Sequence, residues 1–242
     1  STTNDYSNKN YTKCFSGTSS ATPLASGVIA LVLEANPNLG WRDVRQVIAK
    51  SARRNDATDG DWQTNAAGIA VNHKYGFGTL DANAAVNLAT TWANMGALVS
   101  QSYCANPGIA IPDGTSNNAA APAFGAEVSD TITVSGSGIG KIEFVEVVLT
   151  SNHTYSGDLE VVLSKAGSVD SHLAEAHVCR DPQNGNAIIA CGAGYASGWR
   201  FGDARHLDEA ADGTWTLKVR DGFAQDTGNL QSWSLRFYGR AN

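Results

Sequence analysis

The sequence predicts a chain of two unlike halves, a helical first half and an all-β sandwich after it. Three observations carry this. Residues 19–52 place apolar side chains at helical spacing. Residues 97–125 carry Pro107, Pro112 and Pro122 among Gly, Ala, Ser and Asn, which is linker composition. Beyond them lie "TITV", "KIEFVEVVLT", "DLEVVLS", "TWTLKVRD" and "LQSWSLRFYG", several alternating, separated by Gly, Asp and Asn turns.

Each element has its own warrant. Residues 1–18 are polar and short on periodicity, and read as a loop or strand. Residues 19–36 read as a helix apolar almost all round, a pattern that demands burial on every side. Asn36 and Pro37 stop it. Residues 41–52 form a second helix with Val44, Val47, Ile48 and Ala52 on one face. Residues 53–80 are rich in Gly, Asn and Asp and read as loop and turn. Asp81 caps a third helix through about Trp92, with Ala85, Leu88, Ala89 and Trp92 inward.

Composition narrows the classes. Hydrophobic residues make up 42% and charged residues 17%, ordinary for a chain that buries a core and unlike a disordered acidic tail. The net charge is −6, unevenly spread: residues 1–97 carry 8 Lys/Arg and 7 Asp/Glu, and residues 98–242 carry 9 and 16. No basic cluster marks a nucleic-acid partner. The longest apolar run, Val28–Leu33, is far too short to span a bilayer. The acidic half offers oxygen ligands for calcium, but no dense Asp repeat marks an EF-hand loop, and most of these carboxylates read as solvated surface.

The stretch "GTSSATPLASG" carries the chemistry. A helix N-terminus has unpaired N–H groups and partial positive charge. A serine placed there can attack a carbonyl while its own N–H holds the oxygen that becomes negative. Gly17 allows a sharp turn and close approach of a substrate. Pro23 is tolerated near the first helical turn. On the residues alone, a buried helix whose Ser and Thr cap its start fits equally well.

Gly17, Thr18, Ser19, Ala21, Pro23, Ser26 and Gly27 resemble the nucleophile motif of the subtilisin-like serine proteases. "LEANPNLGWRDVRQVIAKSA" and "HKYGFGTLDANAAVNLA" are similar to the kexin and furin branch, the proprotein convertases. The resemblance implies an α/β subtilisin-like catalytic domain, of which residues 1–96 are the C-terminal part. It implies that Ser19 is the acylating nucleophile and that its backbone N–H, with an asparagine side chain, forms the oxyanion hole. An aspartate and a histidine complete the family's triad.

The base is not evident in this chain. Subtilisin-like order is Asp, His, then Ser. Asp5 precedes Ser19, but His73, His153, His172, His177 and His206 all follow it. His73 is either a substitute base or, on the order argument, a loop histidine. Length points the same way, so the chain is expected to be a C-terminal fragment or one part of a nicked enzyme. Its expected partners are the N-terminal catalytic segment and a peptide or protein substrate.

"SGDLEVVLSKAG", "WRFGDARHLDEAADGTWTLKVRD" and "GNLQSWSLRFYG" resemble the P domain that follows the convertase catalytic domain. That implies a jelly-roll sandwich over residues 126–242, with 97–125 as linker and start of the second domain. Departures fall at Ser164–Ser168 and near His206 and Leu207, where loop differences are expected. The family also implies calcium, whose ligands the sequence does not assign, and a secreted, extracellular or periplasmic setting. Cys179 and Cys191 flank turn residues Pro182, Asn184 and Gly185, and read as a hairpin closed by a disulfide or as two unrelated thiols. Cys14 and Cys104 pair with each other or with cysteines outside the chain. Asn10-Tyr11-Thr12 and Asn152-His153-Thr154 fit glycosylation acceptors. Two functions follow: a kexin-like serine endopeptidase, or a catalytically silent fragment acting as a β-sandwich stabilising or binding module.

Overall fold

The computed structural model describes residues 16–118, 121–181, 183–189 and 191–241. Cys14, Asp5 and the Asn10 acceptor lie outside the described residues. Contacts divide the chain into two units, one running up to Thr58 and resuming over Phe77–Met95, the other holding Asp59–Gly76 and everything from Gly96.

Three helices build the first unit: α1 (Thr18–Ala35), α2 (Trp41–Ser51) and α3 (Ala82–Thr90). Asp81 caps α3, its Oδ1 accepting the Ala84 N–H at 2.9 Å. The expected inward faces meet in one cluster of Val32, Leu39, Val47, Ala85 and Ala89, with Val44, Ile48, Leu88 and Trp92 packed against it. Asp43, buried at the start of α2, ties the bundle by accepting the Trp92 indole N–H at 2.9 Å and the Met95 N–H at 2.8 Å.

Burial of α1 on every side is not what the structure shows. Of its side chains only Val32 is buried, while Leu24 and Leu31 are exposed. The described residues offer α1 two neighbours, α2 and α3, and they cover one side. By length and apolarity α1 alone among the described helices reaches the range of a membrane span. Its exposed Ser19, Thr22 and Ser26 and its packed Val32 side are those of a helix in a protein.

The second unit is a two-sheet sandwich. Its strands are β1 (Gln63–Thr64), β2 (Ala70–Val71), β3 (Val99–Ala105), β4 (Ile109–Ile111), β5 (Val128–Val134), β6 (Lys141–Ser151), β7 (Leu159–Lys165), β8 (Asp170–Ala174), β9 (Cys179–Asp181), β10 (Ala187–Ile189), β11 (Trp199–Asp203), β12 (Gly213–Asp221) and β13 (Gly228–Arg240). One antiparallel sheet runs β11-β6-β13-β3, with β4 also on β13; the other runs β5-β12-β7-β8. Alternation sends Val145, Val147 and Leu149 of β6 and Leu235 and Phe237 of β13 inward to meet Trp215, Leu217 and Val219 of β12. Each such side chain contributes about 1.5–3 kcal/mol by leaving water.

Two stretches carry more strand than their composition shows. The stretch 97–125, expected as linker and start of the second domain, holds β3 and β4, which add to β13. Its Ser-rich composition is that of an edge strand with little apolar face, as the mostly exposed β3 shows. Residues 53–80 are not all loop, since β1 and β2 form a short hairpin there. The buried Asn65 amide donates to the Arg205 and Leu207 carbonyls at 2.9 and 3.0 Å, and Glu209 accepts the Ala66 N–H at 3.0 Å.

Cys179 and Cys191 form a disulfide with their Cα atoms 5.2 Å apart, closing the β9–β10 hairpin. Cys104 is an exposed free thiol. Replacing Cys179 and Cys191 together by Ala is expected to lower stability by roughly 3 kcal/mol, the entropy that closure removes from the unfolded chain. Urea unfolding of the oxidised chain measures it, and an unchanged midpoint would show that the staple is idle.

Candidate active site

The stretch Gly17–Gly27 forms the N-cap and the first three turns of α1. Gly17 is its N-cap at φ 91°, a left-handed conformation that a side chain would strain. The N–H groups of Ser20 and Ala21 both close on the Gly17 carbonyl, at 3.1 and 3.2 Å. Those of Thr18 and Ser19 therefore stand ahead of the first closed turn, at the positive end of the dipole.

The hydroxyls along this stretch divide sharply. Ser20 Oγ donates to the Gly17 carbonyl at 2.8 Å, Thr22 Oγ1 to Thr18 at 2.8 Å and Ser26 Oγ to Thr22 at 3.1 Å. These three bond back onto their own helix. Ser19 is exposed, and its Oγ has no hydrogen-bond partner among the described residues. Among the described residues, one small side chain thus carries a hydroxyl with no partner beside an N–H that stands ahead of the first closed turn.

Pro23 lies deeper than the sequence suggests. It stands inside the helix rather than in the first turn. Lacking an N–H, it cannot donate to the Ser19 carbonyl four residues back, and so loosens the turn that holds Ser19.

The histidines fall in the other unit. His73 Nδ1 lies 2.9 Å from Asp61 Oδ1, and its Nε2 accepts the His172 N–H at 3.2 Å, so both ring nitrogens are engaged. His153 and His206 are fully buried, a role that sequence reasoning did not find. His206 Nδ1 is 2.6 Å from Asp203 Oδ2, and its Nε2 is 3.1 Å from the Val169 carbonyl. His153 Nδ1 is 2.9 Å from the Tyr155 carbonyl, and its Nε2 is 3.1 Å from Asp221 Oδ2. Carboxylates and carbonyls only accept, so the His206 ring donates from both nitrogens and is an imidazolium, whereas the Tyr155 N–H donates to His153 Nδ1 at 3.3 Å, which lets that ring serve Asp221 from Nε2 alone. Burial alone would lower both histidine pKa values, but the hydrogen bond and charge of the facing aspartate outweigh it and raise them. The His206–Asp203 contact is a structural ion pair, and His153–Asp221 is a buried structural hydrogen bond. The signals within reach of sequence reasoning were the spacing Asp203-x-x-His206 and a histidine next to a β-rich run.

Among the described residues one group brings potential metal-ligating atoms together. His177, Cys179 and Cys191 bring ligand atoms within 4.8 Å of one another, but the disulfide consumes both sulfurs. Asp158 is buried, and its carboxylate has no hydrogen-bond partner among the described residues. Burial first, then the charges of Asp221 and Asp226, push its pKa up to about 6.

Comparison with known proteins gives the family. Residues 1–78 match the subtilase family, and residues 142–237 match the proprotein convertase P-domain. The chain belongs to the kexin-like, proprotein convertase branch of the subtilases. It is 36% identical over 219 residues to a PC3-like endoprotease (variant B) of Hydra vulgaris, covering 89% of this chain and 28% of that protein. It is 32% identical over 228 residues to the protease KEX1 of Kluyveromyces lactis, covering 92% and 28%. Among solved structures, the serine protease of Aeromonas sobria superposes with a TM-score of 0.72 at 27% identity, over 93% of this chain and 44% of that one. The same protease has also been solved in complex with a chaperone. The chain spans 25–28% of the length of the first curated relatives it matches.

Proposed function

We propose that this chain supplies the nucleophile and the P domain of a kexin-like serine endopeptidase. Ser19 Oγ attacks the scissile carbonyl and forms the acyl-enzyme. A histidine outside this chain takes its proton, and an aspartate outside this chain orients that histidine. The Ser19 N–H donates to the oxyanion, helped by the positive end of α1. Gly17 and Thr18 shape the turn, and Pro23 loosens the strain behind it. The observation that carries the reading is the division among the hydroxyls: Ser20, Thr22 and Ser26 are spent on the helix while Ser19 is not. Residues 1–96 then form the C-terminal part of the peptidase domain, and 126–242 the P domain.

Secretion belongs to the same proposal, and the Cys179–Cys191 disulfide suits an oxidising compartment. So does calcium. It needs roughly six to eight oxygen ligands, and the acidic second half of the chain offers that donor type. Bound calcium would supply positive charge and rigidity; the hydrolytic step itself runs on Ser19 and its partners.

A fluorophosphonate probe applied to the full-length enzyme tests the nucleophile. The adduct is expected on the peptide carrying Ser19. An adduct confined to another serine would sink the assignment.

A further inference from the structure

The β9–β10 hairpin is anchored on the chain just ahead of β7, at the 3₁₀ turn Ser156–Asp158. The Ser156 N–H donates to the Gly192 carbonyl at 2.8 Å, and the His177 N–H to the Gly157 carbonyl at 2.7 Å. The Tyr155 hydroxyl donates to the Ile189 carbonyl at 2.8 Å. A Cβ at Gly157 would run into Cys191 Sγ and the His177 carbonyl, so only glycine lets both arms of the hairpin close on this turn. The ladder itself pairs Cys179 with Ile189, two residues before Cys191. None of these hydrogen bonds is made by sulfur, so the backbone holds the two arms together independently of the disulfide.

This anchoring gathers three metal-ligating groups at one spot. A ring nitrogen of His177 and the sulfurs of Cys179 and Cys191 lie within 4.8 Å of one another. His177 is exposed and both cysteines are half-buried, so a small reductant and an ion can reach them. The imidazole is already oriented. Its Nδ1 is 2.7 Å from the Glu175 carbonyl, which only accepts, so in the neutral ring Nδ1 carries the proton and Nε2 the lone pair. Metal-bound histidines are fixed by the same kind of bond from their other nitrogen. Nε2 of His177 has no hydrogen-bond partner among the described residues.

We propose that the reduced hairpin is a zinc site with Cys179, Cys191 and His177 as its ligands. One element is then closed by a disulfide when oxidised and by a metal when reduced. Two small thiols open the staple by exchange; they leave as their own disulfide, and their two protons pass to Cys179 and Cys191. Zinc displaces both protons and bonds the two thiolates and the Nε2 lone pair. A water completes the tetrahedron on the exposed His177 side. Ligand atoms around a tetrahedral zinc stand roughly 3.5–4 Å apart, so the sulfurs part and the ring closes in, a shift within reach of side-chain rotation. Two thiolates with an imidazole favour zinc over calcium and magnesium, which take oxygen. The site uses no part of the Ser19 chemistry, so the two readings fail in different experiments.

The test uses the whole chain, reduced with a phosphine so that no small thiol competes for metal. Cobalt(II), the spectroscopic stand-in for zinc, is expected to bind and to give a thiolate charge-transfer band with the visible bands of tetrahedral coordination. Zinc should bleach these bands and raise the unfolding temperature of the reduced chain. The oxidised chain should show no such band. Cys14→Ser with Cys104→Ser removes the other two thiols of the sequence and should leave the band intact. His177→Ala keeps both sulfurs of the site; it should bind cobalt roughly tenfold or more weakly, yet form the disulfide as readily as the parent. That split separates a ligand from a residue that only positions the hairpin. A reduced parent that binds no cobalt or unfolds, an oxidised chain that binds as well, a band lost with Cys14 and Cys104, or parent-like binding by His177→Ala would each overturn the proposal.

Discussion

Replacing Ser19 with Ala in the full-length enzyme is expected to reduce kcat by about a million-fold, the scale seen when a triad serine is removed, and to leave stability within about 1 kcal/mol. Both halves follow from the geometry of α1. The hydroxyl is exposed and bonded to nothing among the described residues, so its removal opens no cavity and strands no donor. Alanine is also the best helix former. Ser20→Ala is the matched control, because that hydroxyl is committed to the Gly17 carbonyl and has no part in attack. It should keep turnover within about tenfold, with any loss arising from a looser first turn. Turnover by Ser19→Ala at more than a hundredth of the parent rate would place the nucleophile elsewhere. Equal losses in the two variants would mean that the turn matters, not the hydroxyl.

The helices were legible because their signals are local. Asp81 reads as a cap and is one, and the inward positions of α2 and α3 recur at helical spacing and meet. The strands that alternate, β6, β12 and β13, were legible for the same reason. The edge strand β3 was not, because only one neighbour orders it and its exposed positions give no alternation to read. The short, half-polar β8 and β11 escaped likewise. At the candidate site, "GTSS" pointed to Ser19, but only the coordinates separate a free hydroxyl from three that bond back to the helix. The buried charges lay furthest beyond reach. His153 meets Asp221 across 68 positions, and nothing in either residue type announces burial.

His206→Leu is expected to destabilise the sandwich by about 3–5 kcal/mol, the cost of leaving a fully buried charge without its partner. Asp203 and His206 are both inaccessible to water. Asp203 also accepts the Arg205 N–H at 2.9 Å, so it cannot turn away when the imidazolium is lost. Neutralising it should help: Asp203→Asn in the His206→Leu background should be milder than the sum of the single losses, with a coupling of about 1–3 kcal/mol. The pair also sets a pH window. The His206 pKa is raised on folding, so its contribution is complete below the ordinary histidine value and fades as pH rises through the folded one. For Asp203, burial raises the pKa but the His206 hydrogen bond and charge outweigh it, leaving it depressed. Its contribution therefore holds above the ordinary aspartate value and is lost as pH falls through the folded one. The parent's advantage over the double variant should be largest at mildly acidic pH and shrink toward alkaline pH. Urea unfolding followed by the buried Trp215, whose ring meets that of His206 edge-on with centroids 4.8 Å apart, reads the cycle directly. Strict additivity, or an advantage that grows with alkaline pH, would mean that His206 is held neutral and that the ion pair does not form.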